Sequence, residues 1–103
     1  MSKTEKVKKA QAVFAKANDH FAHVFEALGD PTRLKIFQVL AAKENLCVTD
    51  IAIVCNMSVP AASYQLKTLE MVGLVRRERT GRTICYILRK SDPVVKKVLK
   101  IIQ

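Results

Sequence analysis

Apolar residues recur along this chain at two different spacings, and the switch between them divides it into elements. Val13, Ala17, Phe21, Val24, Phe25 and Leu28 fall three or four apart, which predicts one amphipathic helix from about residue 12 to 28, stopped by Gly29. In "GDPTRLKIFQVLAAKEN", Asp30 is placed to cap a second helix. Pro31 takes the first helical position, where its missing N–H costs nothing, and Leu34, Phe37 and Leu40 or Ala41 form the inward stripe. "LCVTDIAIVCN" reads as a short third helix. With Cys47 at its N-cap, Asp50 falls where a carboxylate reaches the open backbone donors. A fourth helix starts at Ser58 with Pro60 in its first turn, separated from the third by little more than "NMS". Its Ala62, Leu66 and Leu69 point inward, leaving Val59, Ala61, Ser63, Tyr64, Gln65 and Lys67 largely free.

Beyond "MVGLV" the period changes to two. "VRRERTGRTICYIL" alternates on both sides of its glycine turn and predicts a β-hairpin with Ile84, Tyr86 and Leu88 on one face. "SDPVVKKVLKIIQ" then predicts a capped, proline-initiated last helix. Its Val94, Val95, Val98, Leu99, Ile101 and Ile102 exceed what one small core can use and suggest a seam between two copies. The fold class is therefore mainly α with a small β-hairpin: a winged helix-turn-helix of about five helices plus a two-stranded wing. Residues 1 to 11, with Lys3, Lys6, Lys8 and Lys9 and little that is apolar, read as a flexible basic arm, frayed or loosely helical, and residues 12 to 103 as a single domain for DNA binding and dimerisation.

A short helix, a tight turn, a helix with an exposed polar face and a cationic hairpin point to double-stranded DNA. The fourth helix fits a major groove, where Ser58, Val59, Ala61, Ser63, Tyr64, Gln65 and Lys67 meet base edges and phosphates. Arg76, Arg77, Arg79 and Arg82 furnish the wing that lies against the backbone or in the neighbouring minor groove. Charge agrees with this: 18 Lys and Arg against nine Asp and Glu leave a formal +9, which favours a polyanion. No apolar run approaches the roughly 20 residues of a membrane span, and the first residues lack the apolar block of a secretory signal, so a cytoplasmic location without membrane contact is expected. Three cysteines, an odd count without paired spacing, read as free thiols rather than a disulfide framework. Cys47 and Cys55 cannot join within one helix, since roughly 12 Å along the axis exceeds the ~7 Å reach of a disulfide. Cys55 and Cys85 read as packing residues.

Taken together, "ALGDPTRLKIFQVL", "LCVTDIA", "SYQLKTLEMVGLV" and "GRTICYIL" resemble the arsenic-repressor (ArsR/SmtB) family of bacterial and archaeal regulators over residues 20 to 92. The resemblance implies a cytoplasmic homodimer that represses an operon and leaves its operator when an effector binds. It also implies a recognition helix at residues 58 to 71 and dimerisation through the first and last helices. In the metal-sensing branch the third helix opens with Glu-Leu-Cys-Val-Cys-Asp or Glu-Leu-Cys-Val-Gly-Asp; here the letters are "NLCVTD". Cys47 and Asp50 match the thiolate and carboxylate positions, while Thr49 replaces the second cysteine, which counts against arsenite and cadmium. His20 and His23, one turn apart, are the nitrogen donors available. With Cys47 and Asp50 they would make a mixed site suited to zinc or a similar divalent ion as effector, and no other cofactor is implied. Cys47 at a helix N-terminus is also a candidate for a thiol-reactive signal, the alternative being a small apolar residue that fills a Ser or Thr slot.

Other classes fare worse. No Ser-His-Asp set, phosphate loop or paired carboxylates in a cleft supports an enzyme. A winged-helix module for protein or RNA would show a hydrophobic or acidic face on the fourth helix, which is polar to basic here. A regulator of the same fold that senses no metal remains an alternative.

Overall fold

The computed structural model describes residues 2–17, 19–43 and 45–102. In chain order the elements are α1 (Lys3–Lys16), α2 (Asp19–Leu28), α3 (Pro31–Ala42), β1 (Leu46–Cys47), α4 (Val48–Val54), α5 (Val59–Met71), β2 (Val75–Thr80), β3 (Thr83–Leu88) and α6 (Pro93–Ile102). A winged helix-turn-helix is formed, with six helices where about five were expected and a third strand beside the predicted hairpin.

Two differences concern the N-terminal third. The helix expected from 12 to 28 is two helices, because Ala17 takes an extended backbone (ψ 138°) and α2 restarts at Asp19, an acidic residue favoured in a first turn. The apolar spacing runs across the break, so periodicity alone hid it. In addition, residues 3 to 11, expected as a frayed or loosely helical basic arm set apart from the helix after residue 12, are continuous with it in α1. Ser2 caps this helix by accepting the Glu5 N–H at 3.2 Å, and none of its residues is buried.

The core lies among α2 to α6 and the sheet. Val24 from α2, Ile36, Phe37 and Leu40 from α3, Ile51 and Ala52 from α4, and Ala62, Leu66 and Leu69 from α5 close around Leu74, Val75, Tyr86, Leu88, Val95 and Val98. The inward stripe of α5 is as its spacing predicts. In α3 the stripe is rotated: Ile36 is fully buried and Leu34 only half-buried. The surplus expected on α6 is smaller than its composition suggests. Val95 and Val98 are buried, Val94, Leu99 and Ile102 pack against the core, and Ile101 alone of the six stays exposed at 76%. Unpaired apolar surface sits instead on α1 and α2, at Val7, Val13, Phe14, Phe21 and Phe25.

Caps fix the ends of the helix-turn-helix. Asp30 accepts the Arg33 N–H at 3.0 Å at the start of α3, and Ser58 accepts the Ala61 N–H at 3.2 Å at the start of α5. Between α4 and α5 the chain reverses in four residues. Asn56 supplies the left-handed turn (φ 51°), and the Met57 N–H returns to the Ala52 carbonyl at 2.9 Å. The sheet order is β1-β3-β2, antiparallel throughout. The wing turns on Gly81–Arg82, with Gly81 at φ 64°, a conformation a side chain would strain. Among the described residues no helix is long and apolar enough to cross a membrane.

Candidate nucleic-acid interface

The face that α5 turns away from the core carries the chemistry. Ala62, Leu66 and Leu69 anchor the helix, so Tyr64, on the opposite side, is 67% exposed, and Val59, Ala61 and Lys67 are exposed with it. Ser58 is engaged as the cap. Ser63 and Gln65 flank the buried stripe and are half-buried, less free than the spacing suggested. Gln65 is also engaged, since its side-chain oxygen accepts the Arg33 Nη1–H at 3.0 Å.

The pleat of the hairpin sorts three of the four wing arginines, and the fourth, Arg82, sits in the turn. Arg77 pairs across the ladder with Tyr86 and Arg79 with Ile84, so both lie on the face that packs toward α5. Arg76 pairs with Ile87 and lies on the other face beside Glu78, which pairs with Cys85. Arg76 Nη1 sits 2.8 Å from Glu78 Oε2, so its charge is partly matched at home, whereas the Arg77–Glu70 approach is looser at 3.8 Å. Arg79 Nε donates to the Gly81 carbonyl at 3.1 Å and stiffens the turn. Arg82, at the wing tip, lines a cleft with Val48 and Thr49 of α4 and Val59 and Ser63 of α5. The tip of the wing and the N-terminal half of α5 thus border one surface, cationic on one side and polar on the other.

On the opposite side of the sheet the structure departs from the free-thiol expectation. β1, a two-residue strand with no alternation to read, pairs Cys47 directly with Cys85, and the two sulfurs are bonded. Cys55, half-buried at the end of α4, is the free cysteine among the described residues. Burial pushes its thiol pKa up, leaving it protonated and a poor nucleophile, in keeping with a packing role. Asp50 behaves as a cap: the Cys47 N–H donates to its Oδ2 at 2.9 Å. His20 and His23 lie exposed on α2, His20 with its ring tilted against Phe21. Among the described residues no group of three or more His, Cys, Asp or Glu side chains is placed to hold a metal ion. A cavity of about 450 Å3, lined by Asn45, Cys47, Glu78, Thr80, Thr83, Cys85 and Ile87, opens onto the disulfide.

Two features escaped the sequence reading. The Cys47–Cys85 pair depends on the register of a strand too short to detect. Arg33, read only as part of "DPTRL", carries the polar link between α2, α3 and α5; its place three residues past the cap Asp30 is the one signal that could have drawn notice.

Helix-turn-helix and wing define a DNA-binding transcriptional regulator rather than an enzyme, and comparison with known proteins agrees. A family described as a helix-turn-helix domain matches residues 28–78. The chain is 36% identical over 97 residues to a cadmium resistance transcriptional regulatory protein CadC homolog of Staphylococcus aureus, covering 93% of this chain and 78% of that protein. It is 43% identical over 67 residues to a transcriptional repressor SmtB homolog of Synechocystis, covering 65% of this chain and 50% of that one. Among solved structures, the homodimeric winged helix-turn-helix DNA-binding domain Mb0332 of Mycobacterium bovis superposes with a TM-score of 0.72 at 30% identity, over 82% of this chain and 76% of that one. The chain belongs to the ArsR/SmtB family of transcriptional regulators.

Proposed function

We propose that this protein is a repressor that binds double-stranded operator DNA as a homodimer and is released by a thiol-directed signal at Cys47 and Cys85. The observation that carries the DNA reading is the cleft in which Arg82 of the wing tip meets Val59 and Ser63 of α5, the helix that also exposes Tyr64 and Lys67. With α5 in the major groove, the arginines fall along the flanking phosphates. They supply affinity, while Ser63, Tyr64 and Gln65 supply sequence choice.

The dimer reading rests on α1. A lone helix of 14 residues is marginal in water, and this one buries nothing within its own chain while exposing Phe14 at 85%. A second copy laid against α1 and α2 supplies the missing contact, as the homodimeric state of the M. bovis relative suggests.

For the effector, a thiol signal is favoured over zinc because Cys47 spends its sulfur on Cys85, and a bonded sulfur is not a thiolate ligand. A site from Cys47, Asp50, His20 and His23 would first need the bond reduced and the first helices brought near. Closing the pair transfers two electrons from the two thiols to a low-molecular-weight disulfide, which leaves as two thiols; a thiol reductant reverses the exchange. The closed bond ties the N-terminus of α4 to the wing strand. Reduction lets the wing adjust to the backbone while α5 sits in the groove.

The test is binding of fragments captured from genomic DNA, with protein held reduced or oxidised, with and without zinc. Reduced wild type should bind about ten-fold or more tightly than oxidised wild type, and Cys85→Ser should not respond to oxidant. Equal binding in both redox states overturns the thiol signal. Zinc-dependent release of the reduced wild type, lost in Cys47→Ser, restores the metal.

A further inference from the structure

Arg33 stands at the third position of α3 and touches three elements at once. Its backbone N–H goes to Asp30, its Nε donates to the Ala27 carbonyl at the end of α2 at 2.7 Å, and its Nη1 donates to Gln65 Oε1 on α5 at 3.0 Å. A guanidinium is planar and has donors only. With Nε already committed to a backbone carbonyl, the plane of the fork is set, and Gln65 must turn its oxygen toward it. The amide nitrogen, with two donors, is then the end of Gln65 left for anything outside the protein.

We propose that Arg33 is the positioning residue that fixes the polarity with which Gln65 reads DNA, so that Gln65 selects bases that present an acceptor in the major groove and rejects cytosine. Guanine offers N7 and O6, adenine N7, and thymine O4; cytosine offers only its N4 amino group, a donor facing a donor. Without Arg33 the amide is free to turn over, and its oxygen accepts from cytosine as readily as its nitrogen donates to the others. The inference rests on the reading that α5 enters the major groove with Gln65 among its base contacts, and it adds a residue of α3 that touches no base itself.

Binding-site selection followed by competition with single-base variants of the selected DNA separates the two layers. Wild type should disfavour cytosine about ten-fold at one position of each half-site. Gln65→Ala should lose that discrimination. Arg33→Ala should lose it at the same position while the slope of affinity against salt stays unchanged, which a general loss of folding or docking would not produce. Gln65→Glu keeps an oxygen on Arg33 and turns the free end into an acceptor, so its preference should invert toward cytosine. That variant does not depend on Arg33→Ala folding. If Gln65→Ala leaves every base preference intact, the reader role fails and the proposal with it. If Gln65→Ala loses discrimination but Arg33→Ala retains it, or Gln65→Glu does not invert it, Gln65 remains a reader and Arg33 does not orient it.

Discussion

Helices α1 and α5 are nearly equal in length, 14 and 13 residues, and both carry apolar side chains at helical spacing, yet three residues of α5 are buried and none of α1. The difference lies in what each apolar stripe finds. The stripe of α5 meets α3, α4 and β2, and its polar side is left to solvent. The stripe of α1 is buried by none of the described residues, and the molecule extends to 62 Å with a radius of gyration of 17.5 Å, against about 13 Å for a compact chain of this length. Amphipathicity says that one face of a helix is meant to be covered. It does not say whether the cover comes from the same chain.

Substitutions on the two sides of this contrast should behave differently. Phe37→Ala, in the layer beneath α5, removes a fully buried side chain and should cost about 3 to 5 kcal/mol in denaturant unfolding. Replacing Phe14 and Phe25 together with serine should leave that unfolding free energy of the monomer nearly unchanged and weaken self-association by about 100-fold or more, read by sedimentation equilibrium. A large loss of monomer stability in the double variant would mean that α1 and α2 pack within the chain after all.

Within the wing the contrast is between its tip and the face turned away from α5. Arg82→Ala should lower the slope of log affinity against log salt by up to about two units for a dimer. Arg76→Ala, whose charge is held by Glu78 on the opposite face, should change it little. Equal effects would show that Glu78 does not hold the Arg76 charge back from phosphate.

The smallest effect concerns Tyr86, buried under the sheet. Desolvation, with a further contribution from Glu70 opposed by Arg77, raises its pKa in the folded protein. A raised pKa means that stability is full below the pH at which an unfolded tyrosine ionises and falls as pH climbs from there toward the folded value. Tyr86→Phe should flatten part of that alkaline loss in a series of unfolding curves. An unchanged alkaline slope would assign the loss to other groups.

How far the sequence could be read follows the same division. Caps at Asp30 and Ser58, the inward stripe of α5 and the hairpin around Gly81 are local signals, each written within a few residues, and each was legible. The break after Lys16, the strand at Leu46–Cys47 and the bond it makes with Cys85 were not. The first is hidden by an uninterrupted apolar spacing. The others are set by register between segments nearly 40 residues apart, 38 for the two cysteines. For the candidate site, exposure of Tyr64 and Lys67 followed from periodicity, whereas the capture of Gln65 by Arg33 needed the packing of α3 on α5.

The most direct test of a dimeric operator-binding repressor is selection of binding sites by the reduced protein from fragmented genomic DNA, with the enriched sequences read out. An inverted repeat, its half-sites about 10 base pairs or a multiple apart and lying upstream of a transcribed gene, is the expected result, because two recognition helices related by a two-fold axis read the same sequence on opposite strands. Enrichment of no sequence at all, or of a motif without two-fold symmetry, would contradict the account.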